Sequence, residues 1–329
     1  MSKTIGARRR EGPETSSWPP LIVVLGPTAV GKTELATRLG EALGAEIVSA
    51  DSRQVYKYMD IGTAKPTPAQ RRRVRHHLVD VVDPDEEYTL AQYHEMAYAA
   101  IDGLHAQGKL PLLVGGTGLY VRAVVEGWTV PRAKPDQELR ARLYAKAEQE
   151  GADAVHAELL SIDPVAAARI DARNVRRVIR ALEVYITTGI PISELQKKHL
   201  PHYRVLRIGL TVARERLYQR IDERVDGMMA AGLLEEVRGL VALGYGYSLP
   251  SMSGLGYRQL GLYLRGEVSL DEAVHLIKRN TRRFVRQQYS WFRLSDESIQ
   301  WYDVDSDCYG EVCALIRGFV SGFMMDKVS

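Results

Sequence analysis

Cysteine is scarce: the 329 residues hold two, Cys308 and Cys313. A lone Cys-x4-Cys without a second ligand pair is a poor zinc site, so both read as reduced thiols of a cytoplasmic protein. Long apolar runs are missing too. Stretches such as 21–25 fall far short of the roughly 20 residues that cross a bilayer. The first 20 residues carry Arg8, Arg9 and Arg10, then Pro13, Pro19 and Pro20, and lack the apolar core of a secretory signal. No membrane association is expected, and residues 1–20 read as a disordered basic tail. There is no internal repeat and no long low-complexity segment. Excess charge is also absent, with 44 Lys and Arg against 41 Asp and Glu. A nucleic-acid footprint must therefore come from local basic clusters, not from net charge.

What is present is alternation. Leu21-Ile22-Val23-Val24-Leu25 is a continuous apolar run, as expected of a strand buried on both faces of a parallel sheet. Residues 46–50 and 110–114 are further strand candidates, the latter ended by Gly115-Gly116. Helical patterns at 34–43 and 91–106 lie between them, so the fold class is α/β, a doubly wound parallel sheet. After about Gly127 the pattern changes: 136–196 is nearly all helical in character. Asp136 and Asp163-Pro164 mark helix starts there. Residues 205–210 return to a strand, and helices are expected over 214–238, 255–264 and 269–293. This gives a core of 21–127 and 199–329 interrupted by a helical insertion at 128–198.

Gly26-Pro27-Thr28-Ala29-Val30-Gly31-Lys32-Thr33 fits G-x4-G-K-[ST] without a mismatch, after a strand and before a helix. Glycines let consecutive N–H groups turn toward phosphate oxygens, and the helix N-terminus adds partial positive charge. Lys32 supplies a point charge, and the Thr33 hydroxyl is a Mg2+ ligand candidate. An ordinary ATPase or kinase also needs an apolar strand ending in Asp. The 110–114 strand ends in glycines instead, while the 46–50 strand is followed by Asp51. The 78–83 stretch Leu-Val-Asp-Val-Val-Asp is a weaker substitute. Ligands of open α/β sheets sit at strand C-termini, which gathers Asp51, Thr117 and the P-loop around one crevice. Taken alone, Asp51 reads equally well as a turn or helix cap, Thr117 as a turn residue and Arg224 as a surface helix charge.

Four motifs in fixed order resemble the tRNA dimethylallyltransferases, in their bacterial form: the P-loop, 49–66 (SADSRQVYKYMDIGTAKP), 113–120 (LVGGTGLY) and 256–259 (GYRQ). The resemblance covers 21 to about 301 and implies a P-loop NTPase/kinase-like parallel sheet core with a mostly helical insertion. It implies transfer of a dimethylallyl group from dimethylallyl diphosphate to N6 of adenine 37 in tRNAs that read codons beginning with U. It also implies Mg2+, an anticodon stem-loop partner and a monomer. By the same resemblance Asp51 is the general base, Thr117 contacts substrate in the reaction channel and Arg224 assists diphosphate departure. tRNA contacts are implied for Asp51, Ser52, Arg53, Gln54, Thr117 and Arg140, and for Arg176, Arg177, Val178, Ile179 and Arg180. They are further implied for Ser253, Gly254, Leu255, Gly256, Tyr257 and Arg258, and for Arg282, Arg283, Arg286 and Gln287.

The residues themselves give independent support. A positioned carboxylate helps a poorly nucleophilic exocyclic amine by taking its proton, and cations stabilise a leaving pyrophosphate. Arg169, Arg173, Arg176, Arg177 and Arg180 recur at helical spacing. Lys278, Arg279, Arg282, Arg283, Arg286 and Arg293 form a second cluster among aromatics. Such clusters are either phosphate-tracking surfaces or solvated helix faces. His76-His77 is assigned no metal. The competing readings are a P-loop small-molecule kinase using ATP and a non-catalytic RNA-binding protein.

Overall fold

The computed structural model describes residues 18–131, 135–196, 198–199 and 201–324. Nearly all of the expected basic tail lies outside these residues. Six parallel strands make one sheet in the order β3-β2-β4-β1-β5-β6. They are β1 Pro20–Leu25, β2 Glu46–Ser49, β3 His76–His77, β4 Pro111–Gly115, β5 Arg204–Thr211 and β6 Ile299–Asp303. Every residue of β1, β2 and β4 is buried, as the apolar runs require of strands covered on both faces. Each fully buried Val, Leu or Ile contributes about 1.5–3 kcal/mol of transfer free energy. The chain steps from β1 past β4 to β2, so the C-terminal ends of β1 and β4 form the switch point of the sheet.

By packing, the described residues fall into two compact units. One holds everything described before Leu90, with Glu95–Val121 and everything described from His202 onward. The other holds Leu90–His94 and Arg122–Pro201, its own core built from Leu139, Leu143, Val155, Leu159, Val178, Ile179 and Leu182. Asp136 caps the helix Gln137–Glu150 by accepting from the Leu139 N–H at 3.0 Å, and Asp163 accepts from Ala166 at 2.9 Å ahead of Pro164. Both helix starts thus lie where the sequence puts them.

Two expectations change. The helix expected over 214–238 is two helices, Arg214–Ala230 and Leu233–Ala242, because Gly232 adopts φ +97° and ends the first one. The 78–83 stretch is not a strand: Leu78 and Asp80 take φ +61° and +58°, and only Val82 makes a bridge, to Tyr56. It cannot supply the strand-borne carboxylate of an ordinary nucleotide hydrolase.

Candidate active site

The loop after β1 is shaped by three left-handed residues. Gly26 has φ +145°, and a Cβ there would lie 2.5 Å from the Leu210 carbonyl oxygen, so only glycine fits. Ala29 and Gly31 follow at φ +64° and +103°. Gly31 caps the helix Lys32–Leu43 without any side-chain bond, leaving first-turn N–H groups aimed at the strand end. The Lys32 ammonium folds back to donate to the Pro27 carbonyl at 2.7 Å. Burial pushes its pKa down to about 8; the Asp51 carboxylate resists that fall and Arg224 adds to it. Burial also lowers Arg224, against the pull of Asp51. Two cations and one carboxylate therefore share a single low-dielectric neighbourhood.

Asp51 follows β2, and its Oδ1 accepts from the Arg53 N–H at 2.8 Å and the Gln54 N–H at 3.4 Å. The cap suggested by the sequence is real. Yet no hydrogen bond to Oδ2 is made among the described residues, and the carboxylate lines the crevice. Beside it, the Thr117 hydroxyl accepts from the Ser52 N–H at 3.1 Å, and the Thr117 N–H donates to the Ala50 carbonyl at 3.2 Å. A Cβ on Gly115 would overlap the Ala50 carbonyl, which explains the glycines after β4: they let two strand ends touch. The crevice encloses about 540 Å3, part of it open to solvent. Thr28, Lys32, Thr33, Asp51 and Arg224 line it together with Thr63 and Ala64.

Two positioning groups were not singled out from the sequence. Glu236 accepts from three successive N–H groups, Asp60 at 2.9 Å, Ile61 at 2.7 Å and Gly62 at 3.1 Å, and from the Tyr257 hydroxyl at 2.6 Å. This carboxylate pins the loop whose Thr63 and Ala64 line the crevice, while Gln54 holds the same two carbonyls from the other side. Gln288, 4% exposed, bridges the Thr28 N–H and the Gly116 carbonyl. Its sequence signal was periodicity: with Ala273, Ile277, Thr281 and Val285 it completes the buried stripe of the helix Leu270–Trp291.

The other residues fall into distinct settings. Arg53 donates to the Pro250 carbonyl at 2.9 Å and to Ser253 Oγ at 3.3 Å, joining the 51–54 and 250–258 segments. Ser253, Arg258, Arg283, Arg286 and Gln287 are exposed, and Leu255 is half-buried. Gly254, Gly256 and Tyr257 are buried, so Tyr257 presents no side-chain surface. Arg282 is paired with Asp222, on the helix that also carries Arg224. In the other unit, Arg140 and Arg180 converge on the fully buried Glu183 at 2.8 and 2.6 Å. Arg176 and Arg177 are exposed, whereas Val178 and Ile179 belong to the core. No group of three or more His, Cys, Asp or Glu suited to a metal occurs among the described residues. No described helix is long and apolar enough to cross a membrane.

A P-loop motif at the switch point of a parallel sheet, with the Asp51 carboxylate lining the same crevice as Lys32 and Thr33, defines a P-loop protein that handles a phosphorylated substrate. Residues 54–295 match the IPP transferase family, and the chain belongs to it. It is 58% identical over 274 residues, 83% of this chain and 90% of the relative, to a tRNA dimethylallyltransferase of Roseiflexus castenholzii. Among solved structures, the full-length tRNA isopentenylpyrophosphate transferase of Bacillus halodurans matches with a TM-score of 0.69 at 39% identity, covering 94% of this chain and 99% of that one. A eukaryotic dimethylallyltransferase acting on tRNA matches with a TM-score of 0.78 at 27% identity, covering 92% of this chain and 80% of that one.

Proposed function

We propose that this protein transfers a dimethylallyl group from dimethylallyl diphosphate to N6 of adenine 37 in tRNAs that read codons beginning with U. The observation that carries the reading is the placement of one carboxylate, Asp51, opposite a P-loop whose Lys32 is electrostatically coupled to it and to Arg224. The diphosphate sits against the first-turn N–H groups of the helix Lys32–Leu43. The N6–C1 bond forms as the C1–O bond breaks, with the electron pair departing on pyrophosphate and the N6 proton passing to Asp51. Lys32 and Arg224 stabilise the charge that accumulates on the leaving group. Thr117 fixes the edge of the channel next to Asp51. An adenine in an anticodon loop reaches such a recessed site by leaving the stack, which is cheapest where the strand is already single.

Mg2+ fits the donors: the Thr33 hydroxyl lines the crevice, and Mg2+ commonly uses few protein ligands plus phosphate oxygens. When bound it supplies charge neutralisation at the diphosphate. The exposed Arg176, Arg177, Arg283 and Arg286 are the proposed phosphate contacts for tRNA. Val178, Ile179 and Tyr257 serve by shaping the backbone beneath such contacts, since their side chains are buried. Arg140 and Arg180 are held by Glu183, which places them at the edge of this proposed contact surface. A kinase reading is not favoured, because β4 ends in Gly115-Gly116 and 78–83 is a loop.

Incubation with Mg2+, labelled dimethylallyl diphosphate and unmodified bulk tRNA tests the proposal. Label recovered as a prenylated adenosine after nuclease digestion is the expected result. A folded protein that leaves tRNA unlabelled and transfers phosphate from ATP would restore the kinase reading.

A further inference from the structure

The helix Leu270–Trp291 carries Gln288 on its buried stripe, among apolar neighbours. A buried carboxamide must satisfy both a donor and an acceptor, and this one does so across two distant loops. Its Oε1 accepts from the Thr28 N–H at 2.8 Å, 260 residues away in sequence, and its Nε2 donates to the Gly116 carbonyl at 2.9 Å, 172 residues away. A Cβ on Gly116 would lie 2.5 Å from Nε2, so a larger residue there would displace the Gln288 amide. One turn further along the helix, the Trp291 ring fills the space that a Cβ on Gly118 would need. Nearly two turns earlier, Arg282 holds Asp222, two residues before Arg224. The helix thus touches the phosphate loop and the turn that carries Thr117 through Gln288 and Trp291, and the helix that carries Arg224 through Arg282 on another face.

We infer that Gln288 is a positioning residue, a two-ended clamp that sets the separation between the diphosphate cradle and the Thr117–Asp51 side of the crevice. The Thr28 N–H is engaged by Gln288, so the cradle is left to the amides from Ala29 onward. Glutamate could not replace the clamp, because it would lose the donor toward Gly116 and bring a negative charge beside Lys32 and the bound diphosphate. The kinetic consequence rests on the prenyl-transfer reading; the binding consequence does not.

The test uses the full chain with Gln288→Met, and with the isosteric Gln288→Glu should the first variant melt below the assay temperature. Calorimetry with inorganic pyrophosphate and Mg2+ reads the cradle. Single-turnover transfer with both substrates saturating reads the placement of the cradle against Thr117 and Asp51, and filter binding reads tRNA affinity. The expected result is an affinity for pyrophosphate about tenfold lower, of the size of one lost buried hydrogen-bond pairing. The saturated transfer rate should fall about tenfold to a hundredfold, as small misplacements of reacting groups do, with tRNA affinity within about twofold of the parent. A merely structural residue would lower the melting temperature and leave the saturated rate of the folded fraction unchanged. Pyrophosphate affinity and saturated rate both within about twofold of the parent would overturn the clamp, as would a loss confined to tRNA affinity. If the parent protein transfers no prenyl group, the pyrophosphate measurement still decides the clamp by itself.

Discussion

Lys32 makes the diphosphate site titratable in an accessible range. Its ammonium is held in a desolvated loop and its pKa is pushed down to about 8. In the ligand-free protein it is then about nine-tenths protonated at pH 7 and about one-tenth at pH 9. A bound diphosphate favours the protonated form, while the second ionisation of a phosphate ester, near pH 6, is already complete. Raising the pH from 7 to 9 should therefore weaken binding of an unreactive dimethylallyl diphosphate analogue about tenfold, near 1.4 kcal/mol. At pH 9 binding should take up close to one proton. The sign for folding is the reverse. A lysine with a depressed pKa binds fewer protons folded than unfolded, so its folding penalty is relieved as pH rises from about 8 to the ordinary lysine value of 10.5. Calorimetry in two buffers of different ionisation enthalpy measures affinity and proton uptake together. Lys32→Arg keeps the charge at both pH values and should flatten the profile. Equal affinity at pH 7 and 9, or an unchanged slope in Lys32→Arg, would refute the assignment of this titration to Lys32.

Two further outcomes are expected. Asp51→Asn keeps the oxygen that accepts from Arg53 and removes the base; single-turnover transfer should drop about a hundredfold or more while diphosphate affinity holds, and unchanged turnover would remove Asp51 from that role. Arg176→Ala should weaken tRNA binding and lower the slope of log K against log salt by about 0.7 to 0.9, the share of one phosphate contact; an unaltered slope would make this exposed arginine a solvated surface charge.

The interior of the fold was legible because its signal is local. β1 and β4 are apolar runs, β2 and β5 carry shorter apolar stretches, and each was expected to within a residue or so of its observed bounds. The edges were not. β3 is two histidines, and β6 reads Ile-Gln-Trp-Tyr-Asp, mostly half-exposed, so neither carries a buried-strand pattern. The break at Gly232 is one left-handed residue inside a helical period, which composition alone does not reveal. At the site, the P-loop is a contiguous motif, and Asp51 and Thr117 were placed together because both follow strands of one parallel sheet. Glu236 and Gln288 escaped because what they do depends on partners about 175 and 260 residues distant. The stripe Ala273, Ile277, Thr281, Val285, Gln288 nevertheless holds a polar side chain at a core position, and a buried carboxamide demands partners.

Asp51 also shows why its two readings were never exclusive. One oxygen closes the turn over Arg53 and Gln54, and that bond fixes the plane of the carboxylate in the crevice. A base held by its own backbone needs no reorganisation when it accepts a proton, the condition under which electrostatic and proton-transfer assistance is most effective. The same economy recurs around it: Thr117 accepts from Ser52 while bordering Asp51, and Gln288 joins Thr28 to Gly116. The loops of the crevice are thus fixed to one another by side chains. A site built this way brings its geometry to the diphosphate already formed, so the binding energy of the substrate remains available for the separation of charge as pyrophosphate departs.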